Sequence, residues 1–236
     1  VSNIDFQQFF LWYTQAGTPQ VTVQEKYDPQ SQVYQLIFQQ MCPATPSQPE
    51  KKPMHIPIAM GLLDTNGKEI YHNVINLNEP VEEISFPNMK TKPIPSLLRE
   101  FSAPIKLHFN YDPEQLLFLL ENDTDEFNQW ESAQRYIIQL ILQLVEDSKN
   151  NLPLQIPYAF IKALSRVLTN PNKNIVFLSE LLTLPTSKYL GDQMKEVDVD
   201  RIYKCREFLR LEIAQKLHLA DYIIMTEGEE KSHGRE

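Results

Sequence analysis

Glycine is scarce in this chain, 6 of 236 residues, roughly a third of ordinary usage. Neither G-x-G-x-x-G nor G-x-x-x-x-G-K-[ST] occurs, which excludes two Gly-rich loops that cradle phosphates. Cysteine is scarcer, with only Cys42 and Cys205. That is too few for a disulfide scaffold, and the reading is two free thiols in a reducing compartment, with a single bridge left open. Basic residues are outnumbered, 22 Lys and Arg against 31 Asp and Glu, for a net charge of -9. A protein that neutralises phosphates needs the reverse balance, so no nucleic-acid partner is expected. No run approaches the roughly 18–20 apolar residues of a membrane span, so no membrane partner is expected either. No basic segment followed by an apolar stretch and a cleavage site opens the chain. With Val1 first, the expectation is a chain that starts inside a longer protein.

Proline and aromatic residues are present and unevenly placed. Of 17 prolines, 12 precede residue 112 and 5 follow it. Residues 4–15 read as a helix capped by Asp5, with Phe6, Phe9, Phe10 and Tyr13 at helical spacing and Gly17 as the stop. So much aromatic surface needs a partner, either the next domain or a preceding one. From 18 to 111 the pattern is β. Val21 and Val23 alternate with polar residues, and Tyr34, Leu36 and Phe38 share one face of a second strand. Four prolines within 41–53 force a loop. Ile56, Ile58, Met60 and Leu62 alternate, and 54–63 and 68–72 form a hairpin around Asn66-Gly67. Segments at 81–86, 97–101 and 105–109 supply further strands. Seven short strands with turn signals between them predict an Ig-like antiparallel β-sandwich.

Asp112-Pro113 marks the change to helix. Phe127, Trp130, Gln134, Ile137, Ile141 and Leu144 line one face of a helix about 20 residues long. Asp123 and Glu126 fit a capping box before it. Pro157, Asn174 and Asp198 or Asp200 open later helices. In the last of these, Arg206, Arg210 and Lys216 are expected on the outer side. Successive helices with short connections predict an α-α superhelical, armadillo-like array. Residues 226–236 read as a polar, frayed or appended tail.

No catalytic constellation emerges. None of the five histidines precedes a Glu, so H-E-x-x-H is absent, as are C-x-x-C and G-x-S-x-G. His55, His72 and His108 lack ligand spacing. Cys42 sits in a Pro-rich loop with no nearby cation in sequence before Lys51. The acids Glu121, Asp123, Asp125 and Glu126 fail as a calcium loop, because Phe127, Asn128 and Gln134 stand where an oxygen ligand, Gly and Glu are needed. Helix capping accounts for them.

Several strings resemble the bacterial aminopeptidase N family of zinc-dependent alanyl aminopeptidases. Trp12-Tyr13-Thr14-Gln15-Ala16-Gly17-Thr18-Pro19 is similar to its W-Y-x-Q-[SA]-G-T-P. Pro43-Ala44-Thr45-Pro46 and His55-Ile56-Pro57 match P-A-T-P and H-I-P. Ser96-Leu97-Leu98-Arg99-Glu100-Phe101-Ser102-Ala103-Pro104 resembles P-x-P-S-L-L-R-x-F-S-A-P. Phe127-Asn128-Gln129-Trp130-Glu131 resembles F-N-R-W-E, with Gln129 replacing the usual Arg. The order and spacing agree across about 130 residues.

The resemblance implies a cytoplasmic four-domain hydrolase that removes N-terminal residues from peptides. On that basis 1–17 is the terminal helix of a missing catalytic domain, 18–111 the sandwich, 112–225 the start of the helical domain, and 226–236 a tail. The family's zinc is held by H-E-x-x-H and a downstream Glu, and its substrate amine by G-x-M-E-N. None of these strings is present, so no catalytic, cofactor-binding or metal residue is assigned and no zinc is expected in this chain. Its expected partners are the missing catalytic domain and the rest of the helical domain. The alternative is a stand-alone protein-interaction module.

Overall fold

The computed structural model describes residues 7–217. They form two compact units. The first runs to Asp112 and takes in Asn122–Asn128, and the second holds Pro113–Glu121 and the residues from Gln129 on.

The first unit opens with α1 (Gln7–Thr14). Asp5 and Phe6 lie outside the described residues. Trp12 Nε1 donates to the His55 carbonyl at 2.9 Å, and Gln8 Nε2 donates to the Asn78 carbonyl at 2.7 Å. Phe10 and Tyr13 remain exposed. The strands are β1 (Gln20–Asp28), β2 (Val33–Met41), β3 (Ile56–Leu63), β4 (Glu69–Leu77), β5 (Val81–Phe86), β6 (Ile94–Leu97) and β7 (Lys106–His108). They build a four-stranded sheet, β5-β2-β1-β7, and a three-stranded sheet, β4-β3-β6.

Alternation decides which side chains enter the core. Val21, Val23, Tyr34, Leu36 and Phe38 from one sheet, and Ile56, Ile58, Met60 and Leu62 from the other, are buried. Each contributes about 1.5–3 kcal/mol by leaving water. Tyr71 of one sheet meets Phe86 of the other edge to face, with ring centroids 4.9 Å apart. The expected β3–β4 hairpin forms. Its turn closes at Gly67, whose φ of 82° is a left-handed conformation suited to glycine.

Two details differ from the sequence reading. The pair β1–β7 is parallel, with Gln20 opposite Lys106. The chain changes sheets between β6 and β7, which frees β7 from the hairpin geometry that makes neighbours antiparallel. The strand expected at 97–101 ends at Leu97. Beyond it Leu98, Glu100 and Phe101 all have positive φ, between 51° and 59°, and no strand survives that backbone.

Gln40 is the polar member of the inward row of β2. Its Oε1 accepts from the Met54 N–H at 2.8 Å and its Nε2 donates to the Met54 carbonyl at 2.9 Å. The side chain thus satisfies a backbone that no strand reaches. Tyr111 closes the far end, its hydroxyl donating to the Pro95 carbonyl at 2.7 Å.

The helical elements are α2 (Pro113–Asn122), α3 (Glu126–Lys149), α4 (Tyr158–Leu168), α5 (Ile175–Leu182), α6 (Ser187–Gly191) and α7 (Val199–Lys216). Pro113 is the first helical residue, as Pro's fixed φ favours. Pro157 instead stands one residue before α4. Asn174, Thr186 and Asp198 cap α5, α6 and α7 by accepting from the N–H groups of Val176, Tyr189 and Arg201. Leu116, Leu119, Leu120, Ile137, Ile141, Leu144, Phe160 and Leu164 are buried. Tyr136 stacks on Phe160 with centroids 5.1 Å apart. Arg210, expected on the outer side of α7, is buried. Its Nη2 donates to Glu207 Oε2 at 2.6 Å, and that partner one turn earlier makes its burial tolerable. Residues 218–225 and the 226–236 tail lie outside the described residues.

Candidate functional site

The polar residues singled out in the sequence go to separate places. His55 Nε2 lies 2.9 Å from Asn76 Oδ1. His108 ends β7, opposite Thr22. Cys42 and Cys205 are free thiols. Cys42 Sγ sits 3.5 Å from the Ala16 carbonyl, which also accepts from Lys51 Nζ at 2.7 Å. Cys205 is buried in α7, and burial pushes its thiol up. Among the acids, Glu121 pairs with Arg166. Asp125, not Asp123, caps α3, its Oδ1 accepting from the Asn128 N–H at 2.8 Å. Helix α3 begins at Glu126, so the capping register lies two residues beyond the expected one.

The densest polar assembly is centred on Arg99, which is 3% exposed. A guanidinium has five donors in a rigid fork and stays charged, so burial demands a partner for each edge. Arg99 Nε donates to Ser96 Oγ at 2.8 Å. Its Nη2 donates to Asp123 Oδ1 at 3.0 Å, and its Nη1 pairs with Glu69 Oε2. The same Nη1 lies 3.1 Å from His72 Nδ1. Gly61 of β3 makes room, because a Cβ there would collide with the guanidinium.

Segment 122–128 completes the assembly. Asn128 Nδ2 donates to Ser96 Oγ at 2.7 Å and to the Leu97 carbonyl at 3.0 Å. Asp125 Oδ2 accepts from the Glu100 N–H at 3.1 Å. Phe127 packs on Phe101 with centroids 5.7 Å apart. Thr124 Oγ1 donates to Glu69 Oε2 at 3.3 Å.

The two carboxyls on Arg99 shift in opposite directions. Burial pushes Glu69 up, but the hydrogen bond and charge of Arg99, with His72 and Thr124, outweigh it and hold the group below its ordinary value. Burial pushes Asp123 up and prevails over Ser96, the Asp125 N–H and Arg99. Ser96 Oγ already accepts two N–H groups, so its hydrogen is left over. Asp123 Oδ2 is buried with no hydrogen-bond partner.

Glu69, His72 and Asp123 are of the type that binds zinc, but here they surround the Arg99 guanidinium, a fixed cation that repels a metal ion. They do not fit a zinc site. Among the described residues no group of three or more His, Cys, Asp or Glu side chains is placed to hold a metal ion. No helix among them is long and apolar enough to cross a membrane. What the assembly does chemically is hold a segment of chain.

The sequence assigns no role to Ser96, Arg99 or Asn128: all three lie within strings that resemble the family's, and Asn128 otherwise appears only as a residue that breaks a calcium loop. A local signal existed. Gly61 interrupts an otherwise apolar strand, which marks a close approach by another group. Arg99 likewise interrupts an apolar run.

With this geometry in place, comparison with known proteins defines the class. Residues 17–110 match a domain of unknown function, DUF3458, with an Ig-like fold. Residues 113–232 match a second, DUF3458_C, with ARM repeats. The chain belongs to this family, and the sandwich and armadillo-like array expected from the sequence are its two parts.

The relatives carry a more particular name. Aminopeptidase N of Escherichia coli (strain K12) is 35% identical over 224 residues, 92% of this chain and 26% of the relative. Aminopeptidase N of Haemophilus influenzae has the same identity and coverage. That of Caulobacter vibrioides is 33% identical over 99% of this chain and 26% of its own length. In structure the chain is similar to Legionella pneumophila aminopeptidase A, solved in complex with aspartic acid. The TM-score is 0.76 at 29% identity, over 95% of this chain and 25% of the other. The resemblance read from the strings is thus a true relationship. The chain spans about a quarter of the length of these curated relatives and corresponds to a noncatalytic part of aminopeptidase N.

Proposed function

We propose that the chain is a noncatalytic segment of a cytoplasmic zinc aminopeptidase that removes N-terminal amino acids from peptides. It serves as a spacer between the catalytic domain and the helical cap. The carrying observation is the asymmetry of coverage: 92–99% of this chain aligns with relatives of which it spans 26%. On this reading 1–17 is the last helix of the catalytic domain, 18–111 the spacer, 112–225 the start of the cap and 226–236 a tail. Exposed Phe10 and Tyr13 on α1 face the absent catalytic domain. The chain holds no catalytic, cofactor-binding or metal residue of its own, and zinc belongs to the parent. Nothing in the comparisons favours the stand-alone interaction module.

Metal analysis and an alanyl-anilide assay on the purified chain test this. The expected result is no stoichiometric zinc and no hydrolysis. Bound zinc together with hydrolysis that survives further purification overturns the reading.

A further inference from the structure

We infer that the Asn122–Asn128 segment is a latch that closes on the sandwich through a ring of hydrogen bonds and opens only as a unit. The ring can be followed atom by atom. Arg99 Nη2 donates to Asp123 Oδ1, which also accepts from the Asp125 N–H at 3.1 Å. Asp125 Oδ1 accepts from the Asn128 N–H. Asn128 Nδ2 donates to Ser96 Oγ, which accepts from Arg99 Nε and returns the path to its start.

Ser96, Arg99, Asp123 and Asn128 are all buried. A buried donor or acceptor that loses its partner incurs a desolvation penalty larger than the net worth of the bond it made. Opening one link therefore strands its neighbours, and partial opening is the least favourable state. Exposing the whole segment returns every group to water at once.

The sandwich side is shaped to receive the segment. Leu98, Glu100 and Phe101 hold left-handed backbone conformations that non-glycine residues seldom adopt. Those conformations turn the Glu100 N–H toward Asp125 and place Phe101 against Phe127. Gly67 admits Asn122, because a Cβ there would meet its side-chain amide. The same closure holds the strained backbone on one side and gives Asp123, Asp125 and Asn128 hydrogen-bond partners on the other. A seven-residue piece from the helical half of the sequence is thus a conformational element of the sandwich.

Hydrogen exchange on the full chain tests the latch, read at the Glu100, Asp125 and Asn128 amides, with Val23 and Phe38 as references in the β1–β2 ladder. Asn128→Ala removes two side-chain hydrogen bonds without altering charge. The expected result is that all three latch amides exchange at least tenfold faster, by a common factor, while Val23 and Phe38 are unchanged. Acceleration near residue 128 with Glu100 left at its original rate overturns the proposal. So does equal acceleration of Val23 and Phe38, which would mean global loosening. Arg99→Met is the second variant, with the same expected pattern. If it does not fold, Asn128→Ala decides alone.

Discussion

The sandwich unit and the helical unit are held by different materials. The helices bury rows of Leu, Ile and Phe at periodic positions, and several of their ion pairs, such as Arg166–Glu121 and Lys216–Glu212, are partly solvent-exposed, while the buried Arg210 is served by Glu207 one turn away on its own helix. The sandwich has an apolar interior too, but it also buries Arg99 with the Asp123 carboxylate, an amide and a hydroxyl, and the half-buried Glu69 closes the edge. An apolar core is tolerant, since hydrophobic residues of about the right size suffice. A buried polar ring is not, because each member needs its partner. The helical unit should therefore respond to lost volume, and the sandwich to lost partners.

The strongest test sets Arg99→Met against Phe160→Ala. Removing Arg99 leaves buried Asp123 uncompensated and should cost about 3–5 kcal/mol. Truncating Phe160 removes the ring stacked on Tyr136 and should cost a similar amount, about 3–5 kcal/mol. Chemical denaturation gives the size, and region-resolved hydrogen exchange gives the place. If Phe160→Ala loosens β1 and β2 as much as α3 and α4, the contrast between the units fails.

Gly61→Ala comes next. One methyl group is forced into the guanidinium, at a cost of about 1–3 kcal/mol. A thermal melt indistinguishable from the parent's would show that Arg99 has room to move.

Acid sharpens the picture. Glu69 has a folded-state value below its unfolded one. Its contribution is present above the unfolded value, about 4.3, and is lost as pH falls through the folded value. The difference in Tm between the parent and Glu69→Gln should be largest near neutrality and shrink below about pH 4. Asp123 has the opposite sign, because its raised value favours the folded state on protonation. A Glu69→Gln difference that is flat with pH would remove the ion pair from the account.

Arg166→Ala should have the smallest effect, within about 1 kcal/mol, as for an exposed pair. A loss as large as that of Arg99→Met would erase the distinction between the units.

This contrast also explains what could be read in advance. Periodicity in 127–144 and alternation in 33–40 place side chains through local geometry, so α3 and β2 were visible in the sequence. The assembly around Arg99 draws on residues 61, 69, 96, 99, 123, 125 and 128, which no period connects. Leu97 to Phe101 has a strand's composition, yet Leu98, Glu100 and Phe101 turn left-handed because the ring holds them there. Asp123 and Asp125 are both good caps by residue type. In the structure Asp123 is taken up by Arg99, and Asp125 caps α3. Arg210 is a similar case, since a charged residue read from its helical position belongs outside until Glu207 is seen beside it.

Gln40 has a consequence for protein engineering. Its amide grips both backbone groups of Met54, so the ends of the loop at 42–53 are fastened at their base. Lengthening such a loop adds only closure entropy, about 0.6 kcal/mol for each doubling. Foreign sequence grafted between Pro49 and Glu50, both exposed, should be displayed without disturbing the strands beneath it.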